Sequence, residues 1–385
     1  MSAILARKGF LAITKEVTPG TFLAGTVFLP CSMSGMDGED EYAPLKDESL
    51  RNNDTVLQGL YQGPGHSTHK YGMAAYPDLI GHFFRGIVGP DTVTAGVSTT
   101  LSATTSAAAT SITTAASIPA GKTIKIDTGG VVEYAVTGTP SGPGPYTIPI
   151  ATPSAGLAYG HTSGIAVVSQ SSHVFAQNPT VATVAYSVSR YNGLNTKGFA
   201  GCAFSEVGLK IDPKGVLEFS TGLTGFVSTV QSNPTWVGPT STPILGWQWT
   251  LTHNGVASTR GLTLNLTYKR AVDPISSSDG TISPREVFQS AIELDGSMKA
   301  IFDVSTDLDR FEQWTQNPMV ATLTQPLASG GAVLSVTASK VGNAKSKIDN
   351  SGQYVTLDQD VAGIWNSTDS GVSTVTLQNF TSAAY

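Results

Sequence analysis

The chain has 385 residues, 40% of them hydrophobic and 13% charged, with a net charge of −6. That is enough apolar material for a real core, and the negative balance argues against gripping nucleic acid through its phosphates. No apolar run approaches the roughly 20 residues that span a bilayer, and residues 1–10 lack the apolar centre of a secretion signal, so synthesis in a cytoplasm is expected.

Residues 10–15 read as a first strand, closed by the turn Glu16-Val17-Thr18-Pro19-Gly20-Thr21. Strands are also expected at 26–33 and 56–61, the latter stopped by the breaker Gly63-Pro64-Gly65. Between them, 34–53 holds the carboxylates Asp37, Glu39, Asp40, Glu41, Asp47 and Glu48 against Lys46 and Arg51. Composition makes this a solvated acidic loop, yet a structureless loop of that length inside a compact domain is usually functional or disordered. Residues 77–88 suit a short helix: Pro77 sits in its first turn, and Leu79, Ile80, Phe83, Phe84 and Ile87 share one side.

Composition then shifts. From 91 to 170 there are five charged residues in 80 and no Phe or Trp. Short strands around Ile124, Ile126, Val131, Val132, Val136, 146–150 and 165–168 are separated by Gly129-Gly130 and by 139–145. This predicts a separate Ser/Thr-rich β-domain inserted in the first domain, which loop-closure entropy tolerates because its cost grows slowly with length. Ala120-Gly121-Lys122-Thr123 mimics a phosphate loop, but Ala116 stands where the first glycine belongs and a strand follows.

The first domain resumes at 171 with a strand at 181–188 and a turn at Tyr191-Asn192-Gly193. The clearest pattern comes next. Val207, Leu209 and Ile211 alternate with Glu206, Gly208 and Lys210, and Asp212-Pro213-Lys214-Gly215 has the residues of a type I turn with a bulge. Leu217, Phe219 and Leu223 resume the alternation. A long β-hairpin with one buried face is predicted.

Further on, Trp247, Trp249 and Leu251 lie on one strand face before the turn His253-Asn254-Gly255, and Leu262, Leu264, Leu266 and Tyr268 alternate in the next strand. Aromatics so placed serve a core, a subunit interface or a sugar platform. Ser283-Pro284-Arg285-Glu286 reads as a capping box opening a helix to Asp295-Gly296, with Val287, Phe288, Ala291 and Ile292 buried. A second helix is expected at 306–317 with Leu308, Phe311 and Trp314 inward, then strands at 320–323, 333–337 and 372–377.

No catalytic motif emerges. The six histidines are scattered, only His66 and His69 being close, and no carboxylate or cysteine completes a metal site. Cys31 and Cys202 fall in predicted strands and read as buried free thiols. Neither enzyme chemistry, metal nor cofactor is expected.

Taken in order, several of these features resemble the tail tube proteins of long-tailed bacteriophages. They are Lys15-Glu16 followed by Gly20-Thr21, the acidic segment between two strands, and Gly201-Cys202 leading through Asp-Pro-Lys-Gly to Gly225-Phe226. A late helix before a strand of small residues also fits. The resemblance covers 1–90 and 171–385, with 91–170 as an outward-projecting insertion. It implies a mainly β fold, a sandwich or barrel with a few short helices. It implies subunits in rings, usually six-fold, that stack into a tube for the genome, with the long hairpins lining an inner β-barrel. The acidic segment would bridge rings through Asp37, Glu39, Asp40, Glu41, Lys46, Asp47, Glu48 and Arg51, around the central hairpin Asp212, Pro213, Lys214, Gly215 and Phe219. Implied partners are further copies of the chain, the tape measure, tail tip and tail terminator proteins, and genomic DNA passing without specific binding, with no membrane involved. The place is the virion tail, and the host cytoplasm during assembly. The rival readings are a surface or secreted carbohydrate-binding sandwich using Trp247, Trp249 and Trp365, and an enzyme on a β-scaffold.

Overall fold

The structure, a computed structural model, describes residues 5–52, 54–127, 130–180 and 184–385. β1 (Phe10–Lys15) and β2 (Val27–Leu29) precede a long hairpin of β3 (Cys31–Asp47) and β4 (Gly59–Ala74), then helix α1 (Gly81–Ile87). β5 (Asp91–Thr94) leads into β6 (Ser98–Thr100), β7 (Ser111–Thr114), β8 (Thr123–Ile126), β9 (Glu133–Thr137), β10 (Tyr146–Thr152) and β11 (Ala166–Ser169). After β12 (Ser171–Phe175) and β13 (Tyr186–Tyr191) comes a second long hairpin, β14 (Thr196–Ile211) with β15 (Glu218–Gly225). β16 (Thr229–Gln231), β17 (Trp249–His253) and β18 (Val256–Ser258) precede the third, β19 (Gly261–Ile275) with β20 (Glu286–Ile301). Helix α2 (Thr306–Glu312), β21 (Asn317–Thr324), the fourth hairpin of β22 (Val333–Asp349) and β23 (Thr356–Gly363), and β24 (Thr374–Asn379) complete the chain.

The four long hairpins join into one antiparallel sheet in the order β3-β4-β15-β14-β19-β20-β23-β22. Its two halves are the same arrangement built twice. In each half a long hairpin is followed by a seven-residue helix and then by a second long hairpin that pairs with the first. The irregularities coincide too. The first hairpin slips between Tyr42 and Pro44, opposite Gly65 and Gln62, and the third slips the same way between Arg270 and Val272, opposite Ile292 and Gln289. β14 bulges between Phe204 and Glu206, and β22 between Asn343 and Lys345. Aligning the halves on these bulges carries the pair Ala74↔Glu218 onto Ile301↔Thr356, which is the register found.

One face of this sheet is core. Val207, Leu209, Ile211, Phe219, Leu223, Leu264, Leu266, Tyr268 and Met298 are buried on it. Helix α1 lies over that face, Phe83 and Phe84 meeting the Phe219 ring at centroid distances of 5.8 and 5.5 Å. Gly86 lets the helix come close, since a Cβ there would stand 2.1 Å from the Phe204 ring. β6 to β11 form a separate six-stranded sheet with its own cluster of Leu101, Ile112, Ile118, Ile124, Ile126 and Ile148. β5 belongs to the larger assembly, paired with β12.

Three local expectations are overturned. Residues 34–47 of the acidic segment are strand, not loop, and Gly63-Pro64-Gly65 lies inside β4 rather than ending it. β3 is polar on both faces, so alternation could not mark it, and Pro64 is tolerated because it sits at the bulge opposite Ala43. The helix predicted from Ser283 is β20. Its alternating set Ile292, Leu294, Met298 and Ala300 packs inward while Phe288 is 53% exposed. Pairing with β19 and β23 on both sides outweighs a capping pattern worth about 1 kcal/mol. Helix α2 stops at Glu312, and Trp314, expected inward, is 75% exposed with a positive φ of 54°. Residues 1–4, Asn53, Gly129 and Val181–Thr183 of the predicted segments lie outside the described residues.

Phe219→Asp places a charge against Phe83 and Phe84 with no partner, at a cost of several kcal/mol. The variant is expected to be insoluble or to lose its cooperative thermal transition; a soluble variant melting within a few degrees of the parent would contradict the packing.

Candidate assembly surfaces

The face of the large sheet opposite the core is polar and open. Glu206 and Lys210 of β14 and Glu218 of β15 are exposed there, with Lys269 beside them on β19. Lys210 meets Glu218 at 3.0 Å, Lys269 meets Asp295 at 3.2 Å, and Lys299 stands 3.5 Å from both Asp349 and Asp358. Exposed pairs like these contribute little stability, so their value lies in the character of the surface.

The predicted site residues divide into two groups. Asp37, Glu39, Asp40 and Glu41 lie in the part of β3 that pairs with residues 66–70 of β4, whereas Lys46 and Asp47, opposite Leu60 and Gly59, lie with Glu48 and Arg51 at the turn end of the hairpin. Asp40 is fixed inward by Lys197 at 3.1 Å and by the Ser228 main-chain N–H and hydroxyl at 2.8 and 2.6 Å. Burial works against its charge, but these bonds outweigh burial and hold its pKa below the ordinary carboxylate value. Glu41 accepts from the Thr68 hydroxyl at 2.5 Å, with the His66 ring 3.7 Å away. Asp47 receives the Ser49 N–H at 3.0 Å and pairs with Arg51, shaping the turn. Around that turn Leu45, Leu50, Val56, Leu60 and Tyr61 are all more than half exposed. A projecting arm with an apolar tip is a surface that a partner would cover.

In the central hairpin, the Gly215 N–H donates to the Asp212 carbonyl at 3.0 Å and the Lys214 N–H to the Asp212 carboxylate at 2.9 Å. Segment 244–246 packs against this turn, Gly246 donating to the Gly215 oxygen at 2.9 Å. His69, one of the close histidine pair, is buried beside Gly38, and burial with nearby Arg190 pushes its pKa down to about 3. Among the described residues no cluster of three or more potential metal ligands occurs, and no helix is long and apolar enough to cross a membrane. Both cysteines are free thiols, and burial pushes Cys31 up to about 12. Trp247 and Trp365 are exposed, but Trp249 packs over Gly261, where a Cβ would stand 2.6 Å from its ring.

Residues far apart in the chain meet at one point behind the sheet. The buried Glu16 carboxylate accepts from the Gly20 N–H at 2.6 Å, the Ser187 hydroxyl at 2.8 Å and the Gly201 N–H at 2.8 Å. The Phe226 ring lies over Gly20 and Gly201, each with positive φ and each leaving no room for a Cβ. So the Lys-Glu and Gly-Thr of the N-terminal turn, Gly201-Cys202 and Gly225-Phe226 form one structural knot. A family profile described as phage tail tube protein matches residues 6–363. The chain belongs to that family. No curated protein matches it. As a phage tail tube protein it is a structural component of the virion tail, and its surfaces are read below as surfaces for assembly.

Sequence reasoning missed a second knot in this tail tube protein. The side chain of Asp91 is buried and accepts from the Tyr385 N–H at 3.1 Å, and the His173 ring lies between two acceptors, with Nδ1 3.2 Å from the Asp91 carboxylate and Nε2 2.9 Å from the Thr381 oxygen. Residues 381–385 are thereby bound to β5 and β12, and the Tyr385 ring stacks under Gly81 of α1. Nothing local marks Asp91; only its partners do.

Burial disfavours the Asp91 charge, but the bonds from His173 and Tyr385 lower its pKa below the ordinary value. A depressed carboxylate contributes stability above its unfolded pKa, about 4, and loses it as pH falls through the folded value. In urea titrations Asp91→Asn is expected to be less stable than the parent at pH 7, and the gap to close below about pH 4. A gap of equal size at pH 7 and pH 3 would show that the charge is not what the site uses.

Proposed function

We propose that copies of this chain close into rings whose eight-stranded sheets form a continuous inner wall, and that the rings stack into the tail tube through which the genome passes. The observation that carries this is the large sheet itself: core on one face, polar and exposed on the other, with β3 and the outer half of β22 lacking a neighbour on their outer side among the described residues. Carboxylates such as Asp37, Glu39, Glu206, Glu218, Asp358 and Asp360 are prominent on the polar face. A wall of this kind offers DNA phosphates no net counter-charge to hold them, which suits passage over binding. The tape measure, tail tip and terminator proteins are then the partners inside and at the ends of the tube.

The arm of β3 and β4 supplies the contact between rings. Its sheet-bound part is fixed by Asp40, so the stacking contact falls to the tip, from Leu45 to Tyr61. Electron microscopy of the purified protein should show tubes, and Leu50→Asp with Tyr61→Asp should leave folded rings that no longer stack. Tubes of normal length from that variant, or particles with no ring in the parent, would count against the reading.

The six-stranded sheet, 98–169, is the module that projects outward. It docks on the body through the Gln170 main-chain N–H to the Thr123 oxygen at 3.0 Å and through Tyr134 on Phe380, ring centroids 5.7 Å apart. Thr94 and Ser172 face one another across the β5–β12 pair, about 5 Å apart between Cα atoms, so a short turn can replace the module. Exchanging 97–169 for a Gly/Ser turn should give tubes of unchanged bore and smaller outer diameter in reconstructions. An unchanged outer diameter would mean that the module belongs to the wall.

A further inference from the structure

The two outermost strands of the large sheet carry opposite charge. Among the described residues β3 is paired only with β4, and the outer half of β22, beyond Val341, only with β23. On the polar face the free strand β3 presents Asp37, Glu39 and Glu41, and β22 presents Lys345 and Lys347, all exposed. Unpaired strands of this length are a template for another chain unless a partner covers them.

The chain contains its own version of the missing joint. β14 ends the first half of the sheet and β19 begins the second, and they pair antiparallel with Glu206 opposite Lys269. By the bulges that align the halves, β22 corresponds to β14 and β3 to β19. Glu206 then corresponds to Lys345, and Lys269 to Glu41. Carrying the internal register across sets Lys345 opposite Glu41, Ser346 opposite Asp40 and Lys347 opposite Glu39. The charge pair of the internal seam reappears with its signs exchanged. Asp349 falls opposite Asp37, an unfavourable pair moderated by Lys299, which stands 3.5 Å from Asp349. Arg190 already donates to the Gly38 oxygen of β3, which retains a second lone pair for a strand N–H.

We propose that β22 of one copy adds to β3 of the next in this register, so that the joint between chains repeats the seam within a chain. This rests on the tube reading above and specifies its ring contact. Because each chain carries two equivalent halves, the six-fold wall that the tail tube resemblance implies closes with three chains, not six.

The test uses the full chain in three charge-reversed forms: Glu39→Lys with Glu41→Lys, Lys345→Glu with Lys347→Glu, and all four together. Like charges directly opposite on neighbouring strands are destabilising, so each pair of changes should raise the protein concentration needed for ring formation by about tenfold or more. All four together should return it towards the parent value. Lys345 and Lys347 also face Asp360 and Asp358 of their own chain, so thermal melts of the unassembled forms record that intrachain cost, and the recovery in the fourfold form, which intrachain repulsion cannot produce, separates the joint from misfolding. In a second arm, Glu39→Cys with Lys347→Cys is oxidised in assembled rings, and the covalent ladder on a denaturing gel should end at three chains. Unaltered assembly in the reversed pairs, no rescue in the fourfold form, or a ladder absent or running to six would overturn the joint while leaving the tube reading intact. Failure of the unaltered chain to form rings at all would overturn both.

Discussion

A β-sheet satisfies its backbone only where each strand has a neighbour on both sides, and this constraint governs the rest of the molecule. Among the described residues six of the eight hairpin strands have neighbours on both sides, and β3 and the outer half of β22 do not. A soluble monomer protects such strands with bulges, prolines or covering loops. Here the exposed strands are long, and the acidic one is held in place from behind by Asp40, Lys197 and Ser228. The incomplete sheet therefore leaves backbone donors and acceptors of β3 and of the outer half of β22 open to a further strand.

Keeping such a sheet in shape before it is closed falls to the layer behind it. Helix α1 meets Phe219 and Phe204 because Gly86 permits close approach. Two buried carboxylates fasten distant segments: Glu16 joins the N-terminal turn to β13 and β14, and Asp91 joins β5 to β12 and the last residues. Each is met by hydrogen-bond donors on several sides, which is the condition under which a buried charge stabilises.

Matching bulges and matching registers in both halves mean that one packing solution is used twice, the two copies being joined where β14 pairs with β19. The six-stranded sheet grows from one side between β5 and β12, where the strands are already adjacent, so its own core of isoleucine and leucine forms without disturbing the large sheet.

The sequence by itself determined the β-rich class, the central hairpin with its Asp-Pro-Lys-Gly turn, helix α1 and the low-charge inserted sheet. All rest on local periodicity or on turn residues whose preferences are set within a few positions. The order of Lys15-Glu16, Gly20, Gly201-Cys202 and Gly225-Phe226 also carried the family, although why those residues belong together is visible only where Phe226 covers both glycines. Tertiary structure decided the rest. β3 is polar on both faces and β20 carries a capping pattern, so each became strand through its pairing, β3 with β4 and β20 with β19 and β23. The equivalence of the two halves is a matter of pairing register, which leaves no trace in hydrophobic pattern. The two free strands with their opposite charges exist as edges only once every other strand has found its neighbours.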